Sequence, residues 1–191
     1  MTNIANILTL SRIAAIPLIA ALLFFDQPLL RWIAFILFAV ACITDFFDGY
    51  IARRMDQVSA LGRFLDPIAD KLVVAAILMV MTAHGQIAGW AVLPALIILC
   101  REILVSGLRE YLAELKVRLP VSMLAKWKTT MQMIAMGFLI VGDVAPVVWH
   151  LQMVGEGLLW LAAALTLLTG YDYFRVGIKH MSEDDRADAK K

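Results

Sequence analysis

Residues 30–49 read Leu30-Arg31-Trp32-Ile33-Ala34-Phe35-Ile36-Leu37-Phe38-Ala39-Val40-Ala41-Cys42-Ile43-Thr44-Asp45-Phe46-Phe47-Asp48-Gly49. One cation stands near the start of this run, and two aspartates three positions apart close it. An apolar run of about twenty residues is long enough to cross a bilayer core of roughly 30 Å as a helix. Outward from it, runs and breakers give candidate helices over 7–25, 30–52, 66–84, 88–112, 122–142 and 151–176. The whole chain is 62% hydrophobic and 17% charged, with a mean hydropathy of +0.81. A soluble domain of 191 residues needs more polar surface than that to cover its core. The expected architecture is therefore all-α: an integral membrane bundle of six transmembrane helices in one domain, 1–191.

Charge placement orients the bundle. Asp26-Gln27-Pro28, His84-Gly85-Gln86 and Gly142-Asp143 with Pro146 separate the helices at one set of ends. Segments 53–65 and 113–121, with the terminal tail, form the other set. Of seventeen lysines and arginines, Arg31 alone lies near the first set. The positive-inside rule then puts the second set, and both termini, in the cytoplasm, as for a multi-pass protein of the inner (plasma) membrane. The polar cytoplasmic tail from about 177, with Ser182-Glu183-Asp184-Asp185-Arg186, reads as a frayed solvated end. A net charge of +1 points to no nucleic-acid partner. Cys42 and Cys100 lie in apolar runs and read as small buried hydrophobes. The first run lacks a small-residue cleavage pattern, so no signal peptide is expected.

Asp45 and Asp48 end the second run, and Asp66-Pro67-Ile68-Ala69-Asp70-Lys71 opens the third. Spacings of three and four project each pair from one helix face. The short connection between the runs makes the two helices antiparallel neighbours and brings both pairs to one depth near the cytoplasmic surface. Four carboxylates facing each other cannot all stay ionised beside hydrocarbon without compensating charge. Hard oxygen ligands favour Mg²⁺ or Mn²⁺, and four carboxylates are enough to hold two ions. Gly49 and Ala52 would let a ligand approach the backbone, Arg53 offers a donor fork for phosphate, and Gly62 opens the loop or relieves crowding. A single aspartate at a helix end is ordinarily solvated or capping, and Asp66 before Pro67 looks like an N-cap with proline at the first helical position. Two spaced pairs on adjacent helices are not explained that way.

The pattern Asp45-x2-Asp48-Gly49-x2-Ala52-Arg53-x8-Gly62-x3-Asp66-x3-Asp70 resembles, without a gap or substitution, the signature of the CDP-alcohol phosphatidyltransferases. Members of that family transfer a phosphatidyl group from a CDP-linked lipid to an alcohol and release CMP, typically as homodimers open to the cytoplasm. The resemblance implies that Asp45, Asp48 and Asp66 are metal ligands, with Asp45 and Asp66 bridging two ions. It implies that Asp70 binds the second ion and acts as the general base. Gly49, Ala52, Arg53 and Ser59 would contact the CDP-diacylglycerol donor. Asn6-x2-Thr9-x2-Arg12 followed by Pro17 is similar to the family's N-terminal pattern, which makes Asn6 and Thr9 further donor-binding candidates. Those polar groups also fit the start of an interfacial helix at the lipid headgroups.

The aspartates do not name the alcohol. Arg101-Glu102 lies well inside an apolar run, where a charge is a functional hypothesis by default. Glu102 and Arg109, seven apart, share a face, and Ser122, Lys126 and Thr129 face one way on the fifth helix. Arg101, Arg109, Arg118, Lys126 and Lys128 are the candidates for an acceptor phosphate. Pairing of Glu102 with Arg101 or Arg109, and lysines meeting anionic headgroups, is the plainer reading. Arg101-Glu102-x6-Arg109-Glu110 and Lys126-Trp127-Lys128-Thr129-Thr130-x-Gln132-Met133 are similar to the bacterial phosphatidylglycerophosphate synthases, a branch of the family. That implies sn-glycerol 3-phosphate as acceptor and CDP-diacylglycerol as donor; the resemblance runs from the N-terminal pattern through helix five, and helix six and the tail add only hydrophobicity to it. The alternatives are another phosphorylated polyol such as inositol 1-phosphate and, in a different class, a cation transporter. Against transport, all four aspartates gather at one face.

Overall fold

The computed structural model describes residues 4–25, 27–55, 60–114, 117 and 123–188, and within them the side chains except at 4–6, 45–55, 60, 61, 63, 66, 114 and 179–188. Six long helices carry the chain: α1 (Ile4–Leu23), α2 (Pro28–Met55), α3 (Ala60–Ala83), α4 (Val92–Glu114), α5 (Met123–Val141) and α6 (Leu151–Asp188). Single 3₁₀ turns at Gly89–Ala91 and Val147–Trp149 lead into α4 and α6. No strand occurs among the described residues, so the all-α reading holds.

The helices follow one another round a closed circuit: α1 packs on α2 and α3, α2 on α5, α5 on α6, α6 on α4, and α4 on α3. Among the described residues α2 and α3 make their extensive contacts with α1 rather than with each other. The expectation that these two helices pack side by side is thus corrected for their described lengths, where each packs on α1.

Large apolar side chains fill the centre, with Ile77, Met81, Ile98, Met136, Leu139 and Leu159 fully buried. Others of the same kind point outward, including Ile36, Val40, Met79, Leu161 and Leu168. Helices apolar on every side belong in hydrocarbon or a large core. Gly89–Ala113 and Val147–Ile178 are long and apolar enough to cross a membrane, and Ile7–Leu23 and Pro28–Thr44 are shorter apolar stretches. These features are those of a helical membrane bundle.

Three boundaries depart from the sequence reading. The third helix begins at Ala60, so Pro67 lies inside it and Asp66 is no N-cap. Proline there leaves the Arg63 carbonyl without its usual donor, yet Ala60, Leu61, Arg63 and Leu65 are strong enough helix formers to extend the helix ahead of it. The tail is helical as far as Asp188 rather than frayed. It holds no glycine or proline after Gly177, and its Glu, Arg, Ala and Lys residues favour helix. Cys42 is only half-buried and Cys100 is exposed, against the expectation that both are buried. At its far end α3 stops where Gly85 takes φ +74°, a left-handed conformation that suits glycine, and the Ile87 amide reaches back to the Met81 carbonyl at 3.1 Å.

Candidate active site

The backbones of α2 and α3 set the heights of the aspartates. Asp45 lies ten residues before Met55 and Asp70 ten after Ala60, roughly 15 Å along each helix from the connection. Asp48 and Asp66 lie closer to it, at roughly 10 Å and 9 Å. The side chains of Asp45, Asp48, Gly49, Ala52, Arg53, Asp66 and Asn6 lie outside the described residues, as do Ser59 and Arg118 altogether.

Asp70 is described. Its carboxylate is half-exposed, and Arg12 Nη1 of α1 donates to its Oδ1 at 3.0 Å from a buried guanidinium. Sequence reading placed Arg12 in the N-terminal pattern but gave it no link to Asp70. Thr9, one turn before Arg12, is buried as well. A carboxylate paired with a buried guanidinium is held in a fixed orientation.

Two polar cavities of about 370 and 200 Å³ open beside Asp70. They share Asp70, Lys71, Arg101, Glu102, Val105 and Arg109 as walls. Glu102 and Arg109 therefore share a face, as their spacing requires. The smaller cavity continues to Lys128, Thr129 and Gln132 of α5 and Tyr173 of α6. Four cationic side chains there, Lys71, Arg101, Arg109 and Lys128, meet two carboxylates, Asp70 and Glu102. The excess is positive, which suits an anionic ligand. An apolar groove of about 840 Å³ between α1, α3 and α4, lined by residues such as Ile16, Leu72 and Leu96, has no such charge.

The cations differ in how they are held. Lys128, buried, donates to Glu102 Oε1, while Arg101 Nη1 stands 3.4 Å from the same oxygen. The plainer sequence reading is thus right for Arg101, and Lys128 rather than Arg109 is the second partner. Arg109 is exposed at the cavity mouth. Lys71, which sequence reading did not single out, donates from Nζ to the Pro67 carbonyl at 3.1 Å. Its only sequence signal was its place beside Asp70.

One expectation changes. On α5 the face toward the cavities is Ala125, Lys128, Thr129 and Gln132, so Thr129 is on it and Lys126 is not, while Ser122 lies outside the described residues. Lys126 is exposed and is not a wall of either cavity, because one residue along a helix turns the side chain through about 100°. From α6, to which sequence reading assigned no site residue, Thr169 Oγ1 accepts from Arg101 Nη2 at 3.0 Å and the Tyr173 ring centroid lies 5.7 Å from the guanidinium.

At the opposite end of the bundle, Arg31 is buried and pairs with Asp143 at 2.5 Å. With its amide turned to suit both ends, Gln86 accepts from Arg31 Nη1 and Nη2 at 2.9 Å. Gln152 donates to the Gln86 carbonyl and to Glu156, both at 2.8 Å.

The chain was compared with known proteins. It matches the CDP-alcohol phosphatidyltransferase family over residues 2–168. It is 48% identical over 178 residues to a CDP-diacylglycerol--glycerol-3-phosphate 3-phosphatidyltransferase of Rickettsia bellii (strain RML369-C), spanning 93% of this chain and 97% of the relative. Relatives with the same name in Cereibacter sphaeroides and Shigella flexneri serotype 5b are 38% and 40% identical. They span 95% and 90% of this chain and 98% and 92% of their own lengths. The match over most of the sequence, with Asp70 set beside a cationic cavity, makes this chain a member of the CDP-alcohol phosphatidyltransferase family.

Proposed function

We propose that this protein transfers the phosphatidyl group of CDP-diacylglycerol to sn-glycerol 3-phosphate, giving phosphatidylglycerophosphate and CMP, as a step in phosphatidylglycerol synthesis. The observation that carries this reading is the opening of Asp70 onto a cavity walled by Lys71, Arg101 and Arg109. A proton acceptor and an anion site stand side by side, as a phosphorylated alcohol attacking through its hydroxyl requires. The relatives' shared name supports the same donor and acceptor.

Asp70 takes the proton of the glycerol hydroxyl as its oxygen bonds to the phosphorus that carries diacylglycerol. The bond from that phosphorus to the CMP oxygen breaks, and CMP leaves. Arg101 and Arg109 hold the acceptor's phosphate, and Lys71 adds charge near the reacting end. Lys128, already met by Glu102, shapes the wall. The four-carboxylate donor set, with Asp70 open to the cavity, fits two Mg²⁺ or Mn²⁺ ions, which Asp45, Asp48, Asp66 and Asp70 would hold. When bound, such ions supply positive charge to the donor's pyrophosphate. Asn6, Thr9, Gly49, Ala52, Arg53 and Ser59 are the proposed donor contacts, on the strength of the signature alone.

The bundle works as a six-span inner-membrane protein with both termini and the active site on the cytoplasmic side. The uneven placement of lysine and arginine supports that orientation. The family supports a homodimer. The test supplies purified protein with CDP-diacylglycerol, Mg²⁺ and either glycerol 3-phosphate, inositol 1-phosphate or serine, and measures CMP. Glycerol 3-phosphate alone should support release, and a chelator should stop it until Mg²⁺ or Mn²⁺ is restored. Release with inositol 1-phosphate and none with glycerol 3-phosphate would overturn the acceptor, and full activity in chelator would overturn the metal.

A further inference from the structure

Arg101 sits where α4 faces α6, and three neighbouring residues of α6 meet it. Thr169 Oγ1 accepts from Nη2 at 3.0 Å and donates its own O–H to the Leu165 carbonyl at 2.9 Å. One turn on, Tyr173 offers its ring to the guanidinium at 5.7 Å. Between them Gly170 is buried, and a methyl group there would stand 3.3 Å from Arg101 Cγ and 3.5 Å from Nε. The aliphatic stem therefore lies against bare backbone.

All three partners are uncharged. A hydroxyl and a ring orient a guanidinium without cancelling its charge. Glu102 Oε1 accepts from Arg101 Nη1 at 3.4 Å and from Lys128 as well, so one carboxylate is shared between two cations. Arg101 Nε is buried with no hydrogen-bond partner among the described residues. The arrangement holds a cation in a fixed place with charge and donor capacity left over.

We propose that Thr169, Gly170 and Tyr173 form a cradle that positions Arg101 in the acceptor cavity, so that α6 sets the affinity for the phosphorylated alcohol. This rests on the reading of that cavity as the acceptor site. Thr169 and Gly170 are positioning residues, since neither is a wall of either cavity and both act through Arg101, while Tyr173 also lines the smaller cavity.

The test measures kcat and both KM values for Arg101→Met, Thr169→Val, Thr169→Ser, Tyr173→Leu and Tyr173→Phe, each checked for unchanged thermal unfolding. Arg101→Met is expected to raise the KM for glycerol 3-phosphate by tenfold or more, the effect of one charged hydrogen bond. Thr169→Val and Tyr173→Leu should raise it by about two- to tenfold, with kcat and the KM for CDP-diacylglycerol within twofold of wild type. Thr169→Ser and Tyr173→Phe, which keep the hydroxyl and the ring, should restore it. Thr169→Val should add nothing in the Arg101→Met background. A raised acceptor KM in Arg101→Met with none in Thr169→Val and Tyr173→Leu would overturn the cradle and leave the cavity reading standing. An unchanged acceptor KM in Arg101→Met would overturn the cavity reading, and the cradle with it.

Discussion

Gly155→Ala adds one methyl group where α6 crosses α5, and the surroundings of that methyl set the sign of its effect. A Cβ at 155 would stand 2.8 Å from Leu139 Cγ, 3.0 Å from its Cδ2 and 3.3 Å from the Ala135 carbonyl oxygen. Carbon pairs pack best at roughly 3.5–4.0 Å. Leu139 is fully buried, so it cannot swing clear without displacing other core side chains. Overpacking of this kind costs about 1–3 kcal/mol. Alanine recovers about 0.5–1 kcal/mol through its better helix propensity. The net expectation is a loss of about 0.5–2 kcal/mol. Gly157, two residues along the same helix, is exposed, and a Cβ there meets nothing within 4 Å. Gly157→Ala should therefore gain about 0.5–1 kcal/mol. Thermal unfolding of the two purified variants in one detergent reads the contrast, at roughly 2–4 °C per kcal/mol for a chain of this size. A Gly155→Ala midpoint at or above that of wild type, or shifts of the same sign in both variants, would refute the close crossing of α5 and α6.

Asp70→Asn should lower kcat by about 10²–10⁴-fold while part of the binding of CDP-diacylglycerol survives, read by steady-state CMP release and by retention of labelled donor. Near-normal turnover would remove Asp70 as the base. Asp143→Ala removes the Asp143 carboxylate from the buried Arg31 guanidinium, and should cost about 1 kcal/mol, discounted because Asp143 is half-exposed. Thermal unfolding should register that loss with both KM values unchanged; a shifted acceptor KM would show that the far end is coupled to the site.

Much of the bundle was legible because its cause is periodic. Apolar runs and Gly/Pro breakers gave six helices, and the i, i+7 spacing of Glu102 and Arg109 put both on one cavity wall. What failed was local chemistry that tertiary packing overrides. Asp66-Pro67 looks like a helix start, yet helix-forming residues ahead of it carry α3 back to Ala60. The tail was read from its polarity, although polar residues that favour helix extend α6. Contacts between distant helices left no periodic trace. Arg12 and Asp70 are 58 positions apart, and Arg101 and Thr169 are 68. Thr169 in an apolar run reads as a small filler until α6 is laid against α4.

Asp70 and Ala83 mark two levels of α3 about 20 Å apart. Beside the first lie the reactive carboxylate and the cationic cavity, and just past the second lie Gln86 and its bond network with Arg31, Asp143 and Gln152. Loss of folding and loss of chemistry should then be genetically separable. A destabilising change at Asp143 should be rescued by second-site changes anywhere that strengthen the bundle. A change at Asp70 should find no such suppressor, since added stability cannot restore a missing proton acceptor.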